Sequence, residues 1–128
     1  MFNREVEATL TIIALSIFAD KRVLSTEITA FVKSADIIRR FVTSDLKITE
    51  AKLLLWFETN RVDINAKMQL RGDEFERWLD ALLLDCASVS DKRFISNIIE
   101  HISKADGEVH IAEKALSVML DRKFKMSA

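Results

Sequence analysis

This chain has no proline and no tyrosine, only two glycines, Gly72 and Gly107, and a single cysteine, Cys86. Without proline, and with so little glycine, almost nothing interrupts a helix except its own caps. Strand-like alternation is nowhere sustained, so the chain reads as all-α. One cysteine excludes an intramolecular disulfide and a cysteine-rich zinc site. Cys86 falls on the apolar stripe Phe75, Trp78, Leu79, Leu82 and Leu83 and reads as a small buried hydrophobe. Long apolar runs are missing too: the longest is the five residues Leu53 to Phe57, far short of the roughly 18 that a membrane span requires. Glu5 and Glu7 occupy the place where a signal peptide would be positively charged, which points to a cytoplasmic protein. The net charge of −1 and pI of about 6.1 lack the basic footprint that gripping nucleic-acid phosphates demands.

What is present is helical periodicity over 128 residues, a length suited to a single domain, 1–128, with one core. Val6, Leu10, Ile13 and Ile17 mark one face of a first helix ending near Asp20, and Ile28, Phe31/Val32, Ala35, Ile38 and Val42 mark a second that starts near Ser25. A third is expected after Thr49 as N-cap, carrying Ala51, Leu54, Leu55 and Phe57, with Asn60, Asp63 and Asn65 loosening the chain beyond. Residues 64–70 read either as a short separate helix or as the start of a longer one interrupted at Gly72, because Met68 continues the register into the stripe from Phe75 to Cys86. Ser88-Val89-Ser90-Asp91 predicts a break, then a helix whose inner face is Phe94/Ile95, Ile98/Ile99, Ile102 and Ala105. A last helix is expected from about His110 to Lys123 on Ala112, Leu116 and Met119. The expected architecture is a compact bundle of about six to eight helices.

Two of its corners resemble each other. Phe18-Ala19-Asp20-Lys21-Arg22-Val23-Leu24-Ser25-Thr26-Glu27 returns, 86 positions on, as Lys104-Ala105-Asp106-Gly107-Glu108-Val109-His110-Ile111-Ala112-Glu113. Both copies keep Ala-Asp-x-x-Val-x-x-x-Glu, and Ile12/Ile98, Ile13/Ile99 and Val32/Val118 extend the match, where unrelated helices over such a window would share roughly one or two residues. Each copy reads as helix–corner–helix, a pseudo-duplicated core. In the second, Gly107 suits a left-handed helix end, Val109 a plug into the core, His110 the N-cap and Glu113 the N3 position, where a glutamate meets free N–H groups and the positive end of the dipole. The same logic covers Glu27. Asp106 faces the negative end of its helix and needs a partner: loop N–H groups, a basic side chain or a cation. Asp106, Glu108 and Glu113 form an all-oxygen set of the kind that calcium or magnesium prefers, although the spacing is not that of an EF-hand. Around Asp20 and Glu27 the first copy substitutes Lys21 and Arg22, two internal cations that disfavour a metal.

These residues carry a resemblance to the TerB-like family, which spans tellurite-resistance proteins and the N-terminal region of a membrane-anchored co-chaperone. It is most specific at Asp106-Gly107-Glu108-Val109, looser in the first copy and thin between about residues 45 and 90. The resemblance implies an all-helical bundle with a duplicated core and no known catalytic activity. It further implies a bacterial protein of the chemical-stress response, working through protein partners at or near the membrane. By position, it implies cation ligands at Asp20, Glu27, Asp106 and Glu113.

Neither His101 nor His110 belongs to a metal-binding pair on one helical face, and the repeated Glu-x-x-His of a di-metal bundle is absent. No nucleophile–base pairing is legible, so a non-enzymatic protein is expected. Trp56, Trp78 and the eight phenylalanines fall at core spacing rather than in a cofactor box. The run Leu53-Leu54-Leu55-Trp56-Phe57 is broader than one helical stripe. Either its helix is central, or Leu53, Trp56 and Phe57 contribute to a surface for a protein partner or a second copy of the chain. The competing reading of the whole is a plain helical homodimer or adaptor in which every corner carboxylate is a cap and no metal binds.

Overall fold

The computed structural model describes residues 2–18, 25–41, 47–86 and 93–104, together with Val118, Met119 and Arg122. Among the described residues the protein is all-helical, with α1 Arg4–Phe18, α2 Ser25–Lys33, α3 Ala35–Phe41, α4 Glu50–Met68, α5 Asp73–Asp85 and α6 Arg93–Ser103. None of these helices is long and apolar enough to cross a membrane.

The organising element is α1. Asn3 caps it, its Oδ1 accepting the Val6 N–H at 2.9 Å while its carbonyl accepts the Glu7 N–H at 2.9 Å. A single inward stripe of Val6, Leu10, Ile13 and Ile17 is expected from the sequence, but the structure buries Ala8, Thr9, Ile12, Ala14, Leu15, Ser16 and Phe18 as well. A helix apolar on all sides belongs in the middle of a bundle, and α2, α4, α5 and α6 all pack against this one. Its buried hydroxyls find acceptors inside the helix: Thr9 Oγ1 donates to the Glu5 carbonyl at 2.8 Å and Ser16 Oγ to that of Ile13 at 2.9 Å. Two polar side chains are thereby buried at small cost.

The helix expected across residues 25–42 is two. Ser34 stands at a turn between α2 and α3; its Oγ donates back to the Ala30 carbonyl at 2.9 Å, and its N–H reaches Phe31 rather than Ala30. Such a back-bonding hydroxyl offers the backbone an alternative to the helical ladder. In α4 the expected cap is present, Thr49 Oγ1 accepting the Lys52 N–H at 3.2 Å. The expected loosening at Asn60, Asp63 and Asn65 does not occur: the helix continues to Met68, and Asn60 Nδ2 donates to the Trp56 carbonyl at 2.8 Å. Residues 64–68 are therefore the last part of α4, with Gln69 as its C-cap, and the turn into α5 passes through Gly72 at φ +54°, a left-handed value that glycine adopts without steric cost.

Phe18 of α1 stacks on Phe57 of α4 at 5.7 Å between centroids, and Phe31 of α2 meets both Trp56 at 5.9 Å and Phe57 at 6.0 Å. This aromatic cluster joins three helices. Cys86, at the end of α5, is buried as expected, its Sγ 3.5 Å from Thr9 Oγ1. Of the expected inner residues of α6, Ile95, Ile98, Ile99 and Ile102 are buried, while Ala105 lies outside the described residues.

Candidate functional site

The first corner lies between the end of α1 at Phe18 and the start of α2 at Ser25. Glu27 occupies the first turn of α2, as the cap reading expects, and is fully buried. A carboxylate is almost never completely enclosed unless something meets its charge. The first-turn position supplies part of that, since the free N–H groups and the positive end of the helix dipole lie there, and Glu27 is not without an interaction partner. Asp20, Lys21 and Arg22 lie outside the described residues.

At the second corner the structure describes only the approach, α6 as far as Lys104; Asp106, Glu108 and Glu113 lie outside the described residues. Lys104 Nζ donates to Glu100 Oε1 at 2.7 Å across one turn of helix. That hydrogen bond, with the accompanying charge attraction, holds the exposed Glu100 carboxyl below its ordinary range. Among the described residues, no group of three or more histidine, cysteine, aspartate and glutamate side chains is placed to hold a metal ion.

The five-residue apolar run divides differently from the expected surface. Leu53, Trp56 and Phe57 are core residues, closed by the packing of α4 on α1 and α2, and as such form no partner surface. The Trp56 indole N–H is directed inward and donates to Glu7 Oε2 of α1, while the other oxygen of Glu7 accepts the Phe2 N–H at 3.4 Å. What the run leaves outside is Leu54, 45% exposed, and Leu55, 55% exposed. With Val62, 79% exposed, and the exposed Ala51 and Ala66, Leu55 forms a stripe along the outer side of α4, opposite Leu53, Phe57 and Ile64. The sequence carries this signal as Ala51, Leu55, Val62 and Ala66 at helical spacing. It is unreadable without knowing that the helix continues past Asn60, because only then do Val62 and Ala66 share a face with Leu55.

Comparison with known proteins returns no matching family model, no matching curated protein and no matching solved structure.

Proposed function

We propose that this protein is a non-enzymatic, TerB-like helical interaction module of the bacterial cytoplasm, acting in a chemical-stress response through protein partners, with a divalent cation held at the second corner. The observation that carries the reading is the acidic corner Asp106-Gly107-Glu108-Val109 with Glu113, repeated in outline at Asp20 and Glu27. The all-helical architecture and the first-turn placement of the buried Glu27 are in keeping with it. Calcium or magnesium suits the oxygen-only donor set of Asp106, Glu108 and Glu113. Lys21 and Arg22 beside Asp20 make the first corner the weaker site for any cation.

Isothermal titration of calcium and magnesium into the native chain and into Asp106→Asn tests the cation. Saturable heat is expected from the native protein and a loss of at least about tenfold in affinity from the variant, a difference that also appears as a cation-dependent rise in Tm of the native protein alone. Equal heats from both would leave the corner carboxylates as helix caps and favour the plain homodimer or adaptor.

A further inference from the structure

We propose that the outer face of α4 is a homodimer interface, on which α4 of a second copy of this chain lies antiparallel. The inference names the partner within the reading of the chain as an interaction module, and it requires no cation.

The outer stripe is symmetrical about its own middle. Reading along α4, Ala51 and Leu55 are followed, after the polar pair Glu58 and Thr59, by Val62 and Ala66, all six exposed. The order is small, large, polar, large, small. A two-fold axis placed between Glu58 and Thr59 therefore sets Leu55 against Val62 of the second copy and Ala51 against its Ala66. Each of the two contacts is then made twice, which is the self-complementarity that an isologous interface requires. Leu55 and Val62 stand two helical turns apart with alanines beyond them, so the backbones can approach closely at both ends of a helix about 28 Å long.

The charges choose the direction. Lys52 and Asp63 lie on the same flank of the stripe, on either side of its middle and about 10 and 7 Å from it. In an antiparallel pair with the axis across the helices, this flank meets the same flank of the second copy, and Lys52 faces the second copy's Asp63 twice over. In a parallel pair the flank meets the opposite one, where Lys52 comes opposite the apolar Leu54 and Asp63 opposite Arg61, which is already paired with its own Glu58. Glu58 of the two copies meet near the antiparallel axis, each already paired with its own Arg61 at 3.4 Å. Arg61 in turn lies 5.5 Å from the Phe57 ring, which holds it at the margin of the stripe.

Sedimentation equilibrium of the full chain, in chelator and at low salt, from about 10 μM to about 1 mM, tests the proposal without involving the corner cation. A reversible monomer–dimer equilibrium is expected. Leu55→Lys combined with Val62→Glu weakens it by at least about tenfold while leaving far-UV circular dichroism unchanged, since both side chains already face water. Lys52→Asp and Asp63→Lys each weaken it about two- to fivefold, and the two together restore it. For direction, Thr59→Cys is expected to cross-link readily to its own counterpart near the axis and Ala51→Cys not to, while Ala51→Cys with Ala66→Cys cross-links. A monomeric mass throughout the range, or a dimer indifferent to the Leu55 and Val62 changes, overturns the interface. Ready self-linkage of Ala51→Cys overturns the antiparallel arrangement.

Discussion

α1 and α6 correspond in the sequence repeat, 86 positions apart, yet they occupy different kinds of place. On one side they match: Thr9 and Ile95, Ile12 and Ile98, Ile13 and Ile99, Ser16 and Ile102 are all buried, and the two helices pack against each other. On the other side they part. α1 has Ala14, Leu15 and Phe18, all buried, where α6 has Glu100, His101 and Lys104, all exposed. The difference follows from what lies beyond each helix. α1 packs against α2, α4, α5 and α6 and is buried on all sides, so these positions must be apolar, whereas Glu100, His101 and Lys104 of α6 meet water. Four shared buried positions define a pairing of helices; three divergent ones decide which helix is central.

The largest expected effect tests that divergence directly. Leu15→Ala removes packing from a fully buried side of α1 and is expected to cost about 2–5 kcal/mol, whereas His101→Ala, at the corresponding position of α6, stays within about 0.5 kcal/mol of the native protein. Urea unfolding followed by far-UV circular dichroism measures both. Equal losses would mean that the two helices are equally enclosed. A smaller effect belongs to α1 alone: Glu7→Leu removes the acceptor of the Trp56 indole N–H and of the Phe2 N–H, with an expected loss of about 1–3 kcal/mol and a shift of tryptophan emission. Phe75→Ala in α5, near Trp78, provides the contrast in emission without touching that hydrogen bond.

The smallest effect lies on the outer face of α6. Glu100 is held below its ordinary range by Lys104, so its contribution to stability is present above the unfolded carboxyl pKa and is lost as pH falls through the lower folded one. Both partners are well exposed, and salt screens them. NMR titration is expected to show the Glu100 midpoint moving up toward the usual glutamate value in Lys104→Ala, and in the native chain at high salt. An unmoved midpoint would mean that the pair is not populated in solution.

Helix class, the Thr49 cap, the burial of Cys86, the inner face of α6 and the first-turn place of Glu27 were all legible from residue spacing, because caps and periodicity act within a few residues of each other. The break at Ser34 and the unbroken course of α4 were not. At Ser34 a hydroxyl competes with the helical ladder, while in α4 a buried inner face outweighs the turn preferences of Asn60, Asp63 and Asn65. The candidate site divides in the same way. A sequence can mark Asp106, Glu108 and Glu113 as an acidic corner, but the run Leu53–Phe57 holds no record of which of its residues face inward. Packing placed Leu53, Trp56 and Phe57 in the core and left Leu54 and Leu55 outside, and the same packing made α1 rather than α4 the central helix. Local patterns fix which segments become helices because their causes are local. Which face each helix shows to water depends on neighbours distant in the chain, and only the assembled tertiary structure supplies those.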